Sequence, residues 1–195
     1  MSWPEPITLQ FELIDKLTTD EGAYYGPFIS LLHTLFPGSK HYQVSPMFDP
    51  IADSIGFTVI YLNARRKVPL LFLEMNNDVA YDSDDARKAA DNQLRGFFEV
   101  LGGCIPIPKL YSISALGTRI CIYEYTVASR SLTPLPTTPP NTEVVADVAP
   151  KERWNLDIME PQGEARLREI VGDIKAMVAD LNWNCIFFHS LSEPS

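Results

Sequence analysis

Cysteine, histidine and basic charge are all scarce in this chain. Three cysteines, Cys104, Cys121 and Cys185, are spread through 195 residues, too few and too scattered for the disulfide framework of a small secreted domain. Their mostly apolar neighbours suit reduced core thiols. His33, His41 and His189 fall in unrelated contexts, without the paired spacing that zinc ligation needs. No apolar run approaches the ~20 residues that span a bilayer. The N-terminal MSWPEPITLQFELIDKL lacks the basic-then-apolar order of a secretory signal. An intracellular location, cytoplasmic or nuclear, with no membrane partner is expected. Sixteen Lys and Arg against 25 Asp and Glu leave a formal net charge of −9. That balance opposes nonspecific capture of nucleic acid, because its binders draw much of their affinity from neutralising phosphate. It leaves room for a local basic patch, for a homodimer or for a protein partner.

What the chain does contain is ordinary for a globular protein: 46% hydrophobic and 21% charged residues. A chain of this length buries roughly 70% of its unfolded surface and needs no staple. One domain over residues 1–195 is expected, without internal repeats. Residues 129–150, SRSLTPLPTTPPNTEVVADVAP, replace the periodic pattern with proline, threonine and small residues. They read as an extended surface excursion.

The periodic segments alternate in type. Leu9, Leu13 and Leu17 predict a helix over 8–17, and Phe28, Leu31, Leu32, Leu35 and Phe36 a second over 22–36, stopped by Pro37-Gly38. HYQVS (41–45) predicts a short strand and SPMFDP (45–50) a proline-bracketed connection. SIGFTVIYLN (54–63), the turn ARRK (64–67) and PLLFLEM (69–75) predict a β-hairpin. Asp82, Ser83, Asp84 and Asp85 open a helix that runs to about Leu101 and ends at Gly102-Gly103, with an inward stripe of Ala86, Ala90, Gln93, Phe97 and Val100 or Leu101. PKLYSISALG (108–117) and TRICIYEYTVA (118–128) follow as strands, RWNLDI (153–158) as a returning strand, and Leu167 to Leu181 trace a closing amphipathic helix from about Gln162.

Within this order one strand is anomalous. PLLFLEMNN carries Glu74 and Asn76 on one face, with Leu70 and Phe72, by period-two alternation. A turn at 64–67 places Glu74 near Phe57 across the ladder and leaves Asp53, or Asp49 in FDP, at the end of the first hairpin strand. Gln93 points inward from the following helix.

This α/β order resembles the common core of the PD-(D/E)XK nuclease-like superfamily over residues 8–128. There a helix precedes a hairpin and another follows its second strand. The resemblance implies a restriction-endonuclease-like mixed sheet flanked by helices, with Asp53 and Glu74 (Asp49 as second candidate) as Mg²⁺ ligands and Gln93 facing the site. Two hard carboxylates suit Mg²⁺, which polarises phosphate and lowers the pKa of an attacking water. Asn76 occupies the position of the motif lysine, and an amide carries no positive charge. Lys88 lies about 140° around the helix from Gln93, and Arg66 and Lys67 sit at the far end of the hairpin. The string from SPMFDP to the closing helix also resembles a group of mushroom-type fungal proteins, in which an Ile-Glu-Ile-Lys-like string is expected on the third strand. That likeness implies a family and no activity.

Each residue also has a structural reading. Glu74 fits a strand carboxylate paired with arginine, Gln93 a core amide satisfying backbone groups, and Asp49 and Asp53 ordinary turn formers. Asp78, Asp82, Asp84 and Asp85 read as a helix-start cluster. Two functions follow: a metal-dependent phosphodiester hydrolase with an altered site, or a catalytically silent binding or structural module on the same fold. A small-molecule site between Gln93 and the sheet is a third.

Overall fold

The computed structural model describes residues 2–49, 54–63, 66–101, 105–137 and 149–181, with side chains at all of them except 48, 49, 54, 55, 100 and 101. Prolines 4 and 6 open α1 (Glu5–Glu12), where a missing N–H is harmless. The helix buries Ile7 and Phe11, in line with Trp3, and leaves Leu9, Leu13 and Leu17 exposed. The expected leucine stripe therefore faces outward, and the helix stops short of residue 17. Two stripes of four-residue spacing compete here, and the one with larger rings wins. The Trp3 indole N–H donates to the Ile158 carbonyl at 2.6 Å, and Phe11 meets Phe28 edge-on at 5.2 Å. Phe28 belongs to α2 (Tyr25–Leu35), which also buries Leu31, Leu32 and Leu35.

The sheet begins with three antiparallel strands: β1 (Tyr42–Asp49), β2 (Ser54–Asn63) and β3 (Arg66–Asn76). Helix α3 (Asp84–Leu101) then crosses over to β4 (Lys109–Leu116), parallel to β3. Antiparallel β5 (Arg119–Thr126) and β6 (Ser131–Thr133) follow, and β7 (Leu156–Asp157) pairs with β5 ahead of the closing helix α4 (Pro161–Ala179). Among the described residues the result is one mixed seven-stranded sheet, ordered β1-β2-β3-β4-β5-β6 with β7 beside β5. No described helix is long and apolar enough to cross a membrane.

Three expectations are corrected. SPMFDP is largely strand rather than connection, and Pro46 is accommodated because β1 is the edge of the path. The segment from residue 129 contributes β6 before leaving the sheet, whereas 138–148 lie outside the described residues. RWNLDI supplies only the two-residue β7, since Lys151–Trp154 form a 3-10 turn.

The β2–β3 register also differs. Both strands run on until Asn63 pairs with Arg66, so the connection is two residues rather than four, and a bulge at Leu70 returns one position. Glu74 consequently stands across from Gly56, with Phe57 across from Leu73. The bulge also explains Pro69 inside a central strand: it lies beyond the β4 pairing, which begins at Leu71.

Both faces of the sheet carry helices, so β3 is buried continuously from Leu70 to Met75. On one face lie Phe57, Leu73, Ile113 and Tyr111, covered by α2 through Tyr25 on Phe57 and by α4 through Asp173 accepting from the Tyr111 hydroxyl. On the other lie Phe72, Glu74, Ser112, Ser114, Tyr123 and Tyr125, covered by α3 through Phe97 on Phe72 and Phe98 on Tyr125.

Candidate functional site

Glu74 sits on the α3 face in the middle of the sheet and is 6% exposed. Its ladder neighbours are Gly56 on β2 and Ser114 on β4. Ser114 is fully buried, and its hydroxyl accepts from the Trp154 indole N–H at 3.3 Å, so the tryptophan of the 3-10 turn closes that side. On the other side a Cβ at Gly56 would come within 2.5 Å of the Leu73 carbonyl. The backbones approach too closely there for any side chain. The carboxylate therefore has no side chain beside it on β2, and Met47 of β1 is the next residue along that rung.

Helix α3, which carries Gln93, covers the same face. It runs back along β3, and Phe97 packs on Phe72 with centroids 4.1 Å apart. One helical turn earlier, about 5.4 Å, is Gln93. Two residues along the strand, about 6.6 Å, is Glu74. Gln93 is half-buried, at the flank of the helix's inward face. The stripe that is fully inward is Arg87, Ala90, Asp91, Leu94 and Phe98, rotated from the expected one because two charged residues are buried.

The remaining expected residues are placed unequally. Asn76 ends β3 two positions beyond Glu74, is half-buried, and its carbonyl accepts from the Gly117 amide at 2.9 Å. Gly117 turns the β4–β5 connection at φ 62°, where a Cβ would strike Asp78. Asp49 pairs with Ser54 at the end of β1, and Asp53 lies outside the described residues. Lys88 is exposed and so is Lys67 at the far end of β3. Among the described residues no three His, Cys, Asp or Glu side chains form a metal-holding group. Three of the four acids before and at the start of α3 are engaged: Asp78 accepts from the Tyr24 hydroxyl, Asp82 pairs with Lys151 at 2.5 Å and Asp84 with Arg87 at 2.5 Å.

One cluster had no place among the expected site residues. Asp91 is 5% exposed and receives a two-pronged contact from Arg95, at 2.8 and 3.0 Å, and the Tyr123 hydroxyl at 2.7 Å. Arg153 pairs with it as well. Burial alone pushes this carboxyl up. The hydrogen bonds from Arg95 and Tyr123 and the charges of Arg153 and Arg95 outweigh it, and the group lies below the usual aspartate value. The same arginines hold the segment after β6: Arg95 donates to the Pro134 carbonyl at 2.9 Å, and Arg153 to the Leu135 carbonyl at 3.0 Å and the Thr137 hydroxyl at 2.7 Å. The sequence signal was the Asp91/Arg95 spacing of four, indistinguishable from a solvated helix pair.

No family model, curated protein or solved structure matches the chain. The fold defines an α/β protein with a mixed sheet flanked by helices. Its distinguishing feature is a buried carboxylate on the central strand β3.

Proposed function

We propose that this chain is a PD-(D/E)XK nuclease-like protein of the fungal group its sequence resembles, with a restriction-endonuclease-like core and an altered site at Glu74, Asn76 and Gln93. The observation that carries the reading is the buried carboxylate of Glu74 on a central strand, on the sheet face covered by the helix that carries Gln93. The order helix, three-strand meander, helix, parallel strand supports it.

The implied activity is divalent-metal-dependent phosphodiester hydrolysis. Among the described residues the donors in this region are one carboxylate, Glu74, and the amides of Asn76 and Gln93, which do not by themselves satisfy Mg²⁺. In this reading Asp53 and Asp49, flanking the β1–β2 connection, complete the set. A bound Mg²⁺ supplies Lewis acidity and a water of lowered pKa. Of the chain's own groups, Glu74 offers an anionic oxygen from a rigid central strand. Gln93 offers a neutral amide able to orient water or a phosphodiester oxygen. Asn76 offers N–H donors without the charge that a lysine brings to an anionic substrate.

That last substitution favours the second reading, a silent binding module that takes a protein partner or a second copy. The net charge of −9 points the same way, because an anionic protein opposes a phosphate backbone. The deciding experiment offers supercoiled, linear and single-stranded DNA and RNA to the protein in Mg²⁺ and in Mn²⁺, beside Glu74→Gln. Cleavage by the parent that Glu74→Gln abolishes supports the hydrolase. Cleavage that survives Glu74→Gln removes it, and a silent parent that gains cleavage as Asn76→Lys supports the silent relative.

A further inference from the structure

We propose that a cleft at the other end of the sheet binds a small planar ligand carrying a single carboxylate. The cleft lies between the C-terminal half of α3, the β5–β6 connection and the segment after β6, with a volume of about 650 Å³. That falls within the ~300–1,000 Å³ of small-molecule sites. It is separate from the region of Glu74: Tyr125, which lines it, pairs with Leu110, four residues or about 13 Å along β4 from Ser114.

Its lining joins an aromatic floor to cationic groups. Phe98 and Tyr125 stack with centroids 5.6 Å apart and planes at 18°, and Leu132, Leu135 and Pro136 extend the apolar wall. A flat apolar body fits such a surface. Arg130 and Arg95 also line the cleft.

Arg130 is the informative residue. It closes the β5–β6 connection at φ 52°, a left-handed position where glycine or asparagine avoids the steric cost that arginine bears. Strain of this kind is retained where the side chain serves a purpose. Its guanidinium has no ion-pair partner among the described residues, unlike Arg95, which is held by Asp91. Glu99, exposed on the rim, is the opposing charge. Among the residues that line the cleft, Arg95 and Arg130 stand against Glu99, which leaves one positive charge for one carboxylate. A guanidinium receives a carboxylate through two parallel hydrogen bonds, so the acid is preferred over a phenol or an alcohol of the same shape.

Calorimetric titration of the full chain with 1-naphthoate and with neutral 1-naphthalenemethanol tests this. The expected result is saturable naphthoate binding at least tenfold tighter than the alcohol. Arg130→Gly is expected to remove that preference, leave alcohol binding unchanged and raise the melting temperature by relieving the backbone; Arg130→Asn is the second variant, also tolerant of the left-handed conformation. Equal affinity for the two probes, no saturable naphthoate binding, or a preference retained in both variants overturns the proposal. So does a fall in melting temperature in both variants, which would make Arg130 a structural residue.

Discussion

Gly56 stands directly across the ladder from Glu74, and the space a methyl group would need there is taken by the Leu73 carbonyl at 2.5 Å. The carboxylate's environment on β2 is thus set by a backbone approach rather than by a side chain. Gly56→Ala is expected to push the two strands apart at this rung and to cost about 1–3 kcal/mol, the usual range for overpacking. Urea unfolding at neutral pH measures it. An unchanged midpoint would show that the strands separate without cost.

Asp91→Asn removes the anion between two arginines that are 14% and 7% exposed at their side chains. Breaking a buried pair from one side costs about 3–5 kcal/mol, because the cations stay behind. The loss is expected in urea unfolding, with easier proteolysis of the segment after β6 that these arginines hold.

The same residue predicts an acid limb. Because the folded state holds Asp91 below its ordinary 3.8, its contribution is present above that value and is lost as pH falls through the lower folded value. Stability measured from pH 7 to pH 2 is expected to decline less steeply below about pH 4 in Asp91→Asn than in the parent. Parallel curves would remove Asp91 as the source.

Cys121 is buried, and burial, the largest influence on it, pushes its thiol up to about 12. The reactive species is the thiolate. Iodoacetamide at pH 8 is expected to leave the Cys121 peptide unlabelled in the folded protein and to label it in denaturant, read by peptide mass spectrometry. Labelling in the folded state at the denatured rate would mean that the β5 region opens.

Trp3 fastens the start of α1 to the β7–α4 connection by its 2.6 Å hydrogen bond to the Ile158 carbonyl, and Arg168 lies over its ring at 4.4 Å. Trp3→Ala is expected to cost about 3–5 kcal/mol and to raise amide exchange first at Ile7 and Phe11. Uniform exchange across the sheet would instead make α1 part of one cooperative unit with it.

Most of the element order, the β2–β3 hairpin, the crossover helix and the face that Glu74 shares with Asn76 were legible in the sequence. These follow from periods of two and 3.6 residues and from glycine and proline punctuation, which act over a few neighbours. Tertiary structure decided the rest. Which of two leucine- or ring-bearing stripes α1 buries depended on Phe28 and Ile158, remote in sequence. That Gly56 rather than Phe57 meets Glu74 follows from a two-residue connection together with a bulge at Leu70, and periodicity reports neither. Asp91 reads as a solvated helix residue until Tyr123 and Arg153 are brought to it, because a charge is buried only when its partners arrive from elsewhere in the fold.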